Sequence, residues 1–220
     1  MSLNIGIGIN DDLAKIIMDE SLTLINKAIE LAQPAIQNRL SQLVVDAVQD
    51  SPSYKSILNG GLGAELGIAD PGSVLSDMDA LLAKSIFFEY TKFRYPKASL
   101  SGKFTIGIIR DDFKEFLTAP FGVYISEGKS GAWEIAWLKW LLTQGDKIII
   151  SDYHVVFGSG PGFSEFSRTG RALMFSGGSW RVPAEHAGTI KDNFITRALT
   201  DSSFQTKASE IITAEIQKNI

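Results

Sequence analysis

The chain has 220 residues, a net charge of −4, a pI near 5.3 and no cysteine. The acidic balance excludes a nucleic-acid binder that rests on general electrostatics, although a local basic patch stays open. The missing thiols exclude disulfides, thiolate zinc sites, Fe–S clusters and cysteine nucleophiles, while 45% hydrophobic against 21% charged residues calls for a packed core.

The first ten residues, Met1 to Asn10, hold a short alternating apolar run and no basic n-region. No stretch reaches the roughly 20 apolar residues that a spanning helix needs. The expectation is a protein retained in the cell that makes it. Asn10 then reads as a helix cap, with Asp11 and Asp12 where the helix dipole favours negative charge. Ile25, Ile29, Ala32, Ile36, Leu40, Leu43 and Ala47 recur at three- and four-residue steps, predicting helix to Gln49. Pro34 inside that run predicts a kink or a break.

Asp50 to Ser73 is rich in Gly, Pro and Ser and reads as turns around short helical pieces. Its Gly61–Gly67 stretch lacks both the spacing and the preceding strand of a phosphate loop. A second helix is predicted over Ser76 to Tyr90. Strands are predicted in the Lys103–Phe113 run and over Phe121–Ser126. "GAWEIAWLKWLLTQG", from Gly131, reads as a helix with Trp133, Trp137 and Trp140 on one side and Ile135, Leu138 and Leu142 opposite, stopped by Gly145. A helix apolar on nearly every side needs cover on nearly every side, from a core or from a partner subunit.

The Asp146–Gly158 run predicts a bent strand or a hairpin around Ser151–Asp152, and Gly158–Phe166 a flexible loop. Two short strands, Ala172–Phe175 and Ser179–Val182, are predicted to turn at Gly177–Gly178. "KDNFITRAL" reads as a short helix, and Ser202 with Gln205 as the capping box of a last one. The fold class is therefore α+β: long N-terminal helices packed on a small antiparallel β-sheet, with an inserted Trp-rich helix and a C-terminal helix. Residues 1–100 form the helical region, 101–200 the sheet core and 201–220 the closing helix, as one domain with extensions.

Chemistry is weakly signalled. His154 and His186 are the only histidines. Each reads as a general base, a surface group or a satisfied interior one. A metal set from Asp152, His154, Glu185 and His186 has spacings that chance supplies readily. Asp111–Asp112 are adjacent on a predicted strand and point apart. There is no nucleophile elbow and no H-E-x-x-H. No catalytic residue, metal ligand or cofactor is assigned, and a non-enzyme is expected.

At "LNGGLGAELGI" (Leu58–Ile68) and "SRTGRALMFSGGSWRVPAEHAGTIKDNFITRAL" (Ser167–Leu199) the chain resembles small structural proteins of tailed bacteriophages, most closely the neck or tail-completion family. Gly188–Thr189 resembles that family's Gly-Thr turn, and Phe194–Leu199 its closing helix. Thr196–Arg197 stands where Arg-Pro is usual, and the segment around Trp137 looks like an insertion. The resemblance spans about Ala98 to Leu199.

It implies a virion protein, made in the host cytoplasm, that forms a homo-oligomeric ring joining the head connector to the tail. Tail terminator or another tail ring is the alternative. An enzyme or metal protein using His154 or His186 is a second, and a host-side adaptor with a Trp-helix groove a third. Implied partners are further copies, portal or adaptor and tail proteins, and passively DNA in transit; no membrane is involved. Expected interface residues are Trp133, Trp137, Trp140, Phe163, Arg168, Arg171, Trp180, Arg181, His186 and Arg197, with Trp180 and the two last arginines equally readable as core and plain surface. Gly188 is expected to allow a sharp turn, Phe194 to plug the closing helix onto the sheet, and Gly158–Gly170 to serve as a docking loop.

Overall fold

The computed structural model describes residues 2–6, 11–94, 99–108, 113–128, 131–145, 151–158 and 172–220. It is an α+β protein whose helices outweigh short antiparallel strands. Its chain resolves into two compact units, each discontinuous in sequence.

The first unit gathers residues 1–43, 84–110 and 205–220. Strand β1 (Ser2–Gly6) opens the chain, so the N-terminal apolar alternation was a strand signal. Helix α1 (Asp11–Gln49) then runs through Pro34 without a break. An interior proline costs a hydrogen bond, but Ala28, Ile29, Ala32, Ile36 and Leu40 on either side of it are essentially fully buried, and that stripe keeps the helix on one course. Further along, β2 (Ile86–Arg94) and β3 (Ser99–Ile108) pair antiparallel, and β1 adds to the far side of β3, giving the order β1-β3-β2. Ile86 and Phe88 are buried, then Phe93; the change of parity follows a register shift between Thr91 and Arg94.

Edge strand β2 would expose a row of backbone groups. Helix α1 covers them with side-chain amides. Asn26 Nδ2 donates to the Phe93 carbonyl at 3.2 Å while its Oδ1 accepts from Phe93 N at 2.8 Å. Gln33 Nε2 donates to the Phe88 carbonyl at 3.5 Å, and Gln37 Nε2 to that of Ile86. The unit ends with α8 (Ser202–Gln217), whose Glu215 accepts from Arg39 and Lys218, each at 2.6 Å. Asp201 precedes it and accepts from Ser203 N at 2.8 Å, so the helix starts at the Ser202 that was predicted to cap it. Phe204, Ala208 and Ile212 form its buried stripe.

The second unit comprises residues 44–83 and 111–204. After α1 come α2 (Pro52–Leu58), α3 (Gly61–Glu65) and α4 (Pro71–Ser85). The predicted helix over Ser76–Tyr90 is thus displaced: it starts at a proline and stops where Ile86, Phe87 and Phe88 turn to strand. Helix α5 (Lys114–Thr118), a 3-10 turn (Pro120–Gly122) and the hairpin of β4 (Tyr124–Gly128) with β5 (Gly131–Ile135) follow. Helix α6 spans only Trp137–Leu142. Trp133 and Ile135 therefore lie on a strand, not on the helix predicted for them. Helical spacing of tryptophans concealed a β-hairpin arm.

Strands β6 (Ser151–Phe157) and β7 (Ala172–Trp180) form a two-stranded antiparallel sheet. β7 is one strand, not the two short ones predicted. Gly177 (φ 82°) and Gly178 (φ 148°) lie in a register shift, between Tyr153↔Ser176 and Ser151↔Trp180, so the pair makes a bulge instead of a turn. Helix α7 (Phe194–Thr200) closes the unit. The linear division into 1–100, 101–200 and 201–220 is cut across by both units, because β2 pairs with β3 and Glu215 bonds to Arg39. Among the described residues no helix is long and apolar enough to cross a membrane.

Candidate interface

The segment Ser179–Leu199 was expected to face a neighbour, but His186, Gly188 and the run Asn193–Ile195 turn inward, while Ile190 among others stays exposed. Asn193, fully buried, organises it. Its Oδ1 accepts from Ile195 N at 3.1 Å and Thr196 N at 3.0 Å, and Thr196 Oγ1 accepts in return from Asn193 N at 2.8 Å. This is a capping box closed by threonine, and it explains why Thr196 suits that helix. Asn193 Nδ2 spends its protons on the carbonyls of Leu142 at 3.3 Å and Thr189 at 2.9 Å. Leu142 ends α6, so one amide ties the start of α7 to the end of α6 and satisfies an orphan helix carbonyl.

Gly188 is required by proximity. A Cβ there would stand 2.0 Å from the Leu141 carbonyl oxygen and 2.9 Å from Asn193 Cα. Gly145 donates its N–H to the Gly188 carbonyl at 2.6 Å, and a Cβ on Gly145 would meet Gly188 N at 2.1 Å. Two backbones touch with no room for a side chain, so the expected freedom to turn is not what Gly188 supplies. Thr189 and Asp192 close the turn with reciprocal backbone bonds of 2.7 and 3.2 Å.

Arg197 is spent inside this loop. Nε and Nη2 grip the two Asp192 oxygens at 2.6 and 3.1 Å, while Nη1 and Nη2 also donate to the carbonyls of Glu185 at 3.3 Å and Ala187 at 3.1 Å. The guanidinium's hydrogen bonds hold the Asp192 carboxyl below its ordinary value. His186 is buried with its Nδ1 3.0 Å from Ser53 Oγ. Phe194 is buried, and α7 packs on α2 and α6, not on a sheet.

The tryptophan reading changes most. Trp137 is 1% exposed and donates its indole N–H to the Phe121 carbonyl at 2.8 Å. Leu138, Leu141 and Leu142 are fully buried and Phe116 lies with them in the core. The chain covers α6 by itself, so the argument that this helix needs a partner falls. Trp140 and Trp180 are half-buried and face each other with ring centroids 5.9 Å apart. Trp137 and His186 are thus buried away from the expected interface, while Arg197, engaged within its own loop, is still exposed. Arg181 stays exposed. Phe163, Arg168, Arg171, the side chain of Trp133, the Asn10 cap, Asp111–Asp112 and nearly all of the Gly158–Gly170 loop lie outside the described residues.

Exposed apolar surface lies elsewhere in this unit, on the β6–β7 ribbon, and sequence reasoning missed it. Val156 is 42%, Phe157 52% and Phe175 45% exposed. His154 sits directly opposite Phe175 and stacks on it at 5.4 Å, with Nδ1 2.7 Å from the Gly177 carbonyl. Alternation puts His154 and Val156 on one face with Phe175. The only sequence signal was the unbroken Tyr153–Phe157 run, which does not tell a buried strand from a bare one. Among the described residues, each ribbon strand pairs only with the other, and no group of three His, Asp or Glu is placed to hold a metal.

Comparisons with family models, with curated proteins and with solved structures find no match to this chain.

Proposed function

We propose that this chain is a structural virion protein of a tailed phage, a ring subunit of the neck that joins head connector to tail, with no chemistry of its own. The observation that carries the reading is the bare apolar face of the β6–β7 ribbon. A sheet of only two strands has little support of its own, and a neighbour that adds a strand or covers Val156 and Phe175 stabilises it further. A ribbon that docks on a different surface of the next copy makes a head-to-tail contact, and such contacts close into rings when the rotation permits. The resemblance at Gly188–Thr189 and Phe194–Leu199 adds support of another kind, since those residues build the clasp that fixes the unit carrying the ribbon. Portal or adaptor proteins above, tail proteins below and passing DNA are the partners of this reading.

Negative-stain imaging of the purified protein, alone and mixed with a phage head connector, tests it. Annular particles, free or seated on the connector, are expected. A protein that stays single and binds no virion component overturns it.

A further inference from the structure

Helix α1 carries a second apolar stretch in solvent, in the other unit. Leu24 is 60% and Leu31 59% exposed. Seven residues make nearly two full turns, so both point within about 20° of one bearing. Glu20 and Lys27, also exposed and seven residues apart, lie together along one flank of this stripe. Among the described residues neither takes part in an ion pair. The opposite flank turns inward at Ala28, which is 1% exposed.

A stripe with equivalent heptad positions charged Glu then Lys discriminates between partners. In a parallel helix pair the two flanks of the seam face each other, so two residues of the same flank do not meet. In an antiparallel pair the same flanks run side by side. A two-fold axis at Leu24 places Leu24 on its own copy and brings Leu31 to position 17, which is isoleucine in the sequence. It also brings Glu20 of each copy within one residue of Lys27 of the other, so the charges match twice. We propose that α1 is a homotypic docking surface, pairing antiparallel with α1 of a second copy through Leu24 and Leu31 and matched Glu20–Lys27 contacts. Such a contact is isologous and closes at two copies. It stands on α1 alone and needs neither the ribbon nor the ring.

The test is sedimentation velocity of the full chain over a concentration series, carried out in a Phe175→Asp background so that ribbon contacts do not intrude. The parent is expected to show a concentration-dependent dimer. Glu20→Lys and Lys27→Glu each turn two attractions into repulsions and raise the dissociation constant about tenfold. The double variant restores it to within about twofold, and Leu24→Glu/Leu31→Glu abolishes it. All four positions are exposed, and circular dichroism checks that α1 is intact. A parent that stays monomeric at every concentration overturns the proposal. So do single charge variants that dimerise like the parent, or a folded double variant that fails to recover.

Discussion

Replacing Asn193 by alanine isolates the clasp. The change removes the N-cap of α7, which costs about 1 kcal/mol. It also leaves the Leu142 carbonyl without the side-chain donor it has now, at about 1 kcal/mol where water cannot replace it, and takes one of two donors from the Thr189 carbonyl, which keeps Asp192 N, at up to about 1 kcal/mol. The loss is therefore about 2–3 kcal/mol, or about 4–12 °C in melting temperature for a chain of this size. Two companion variants separate the terms. Asn193→Ser keeps an oxygen for Ile195 N and Thr196 N and recovers about 1 kcal/mol of it. Asn193→Asp caps a helix as well as asparagine does, but it aims a carboxylate at two carbonyls and is expected to be at least as damaging as alanine. Urea unfolding followed by tryptophan fluorescence gives the ordering wild type, serine, alanine, aspartate. An aspartate variant as stable as wild type, or an alanine variant within about 0.5 kcal/mol of it, refutes the reasoning that the amide protons of Asn193 join α6 to α7.

Gly188→Ala is expected to cost more than 2 kcal/mol, roughly, since a methyl 2.0 Å from the Leu141 oxygen forces backbone to move; a wild-type urea midpoint contradicts this. Trp137→Ala is expected to cost about 3–5 kcal/mol, read from the same unfolding curves, whereas an indole serving an outer surface is lost cheaply. Glu215 is held below its ordinary value of 4.5, first by the hydrogen bond from Lys218 and then by that from Arg39. Its folded value is the lower one, so its contribution is whole above the ordinary value and is lost as pH falls through the folded one. The stability gap between wild type and Glu215→Gln should then close on acidification, and a gap constant with pH contradicts it. Burial, and next the bond to Asp79, push the Tyr54 phenol up, so absorbance titration should show it ionising after an ordinary tyrosine. Ionisation of Tyr54 in the ordinary range would contradict that.

How much of this was legible depended on whether pattern or environment decided. In α1 the burial of Ile29, Ala32, Ile36 and Leu40 followed from spacing, but the predicted Ile25, Leu43 and Ala47 are only half-buried, and Val44 and Val48 take the core beyond Leu40. The short helix α7 was also read from the sequence. Phe87, Phe88 and Tyr90 were absorbed into a helix because they continue a helical run, although their aromatic, alternating character belongs to β2. Trp133 was misplaced for the same reason: i, i+4 spacing is silent about a backbone that changes from strand to helix at Ala136. Of the expected interface, Arg197 and His186 carry the residue types of a contact surface, but only tertiary structure shows that Asp192 and Ser53 engage them. Gly188 was singled out correctly as special, yet its reason, the approach of Leu141 and Gly145, lies far along the chain. The bare face at Val156 and Phe175 was unreadable, because a strand's apolar face has the same sequence whether or not anything covers it.

The central claim is that copies of this chain join through the β6–β7 ribbon. Mass measurement of the wild type beside Val156→Asp/Phe175→Asp tests it most directly. The account predicts ring-sized species for the wild type, and for an equally folded variant nothing larger than the pair held by α1. Wild type and variant with the same mass distribution, whether both remain at the 24.0 kDa of one chain or both form rings, contradict it.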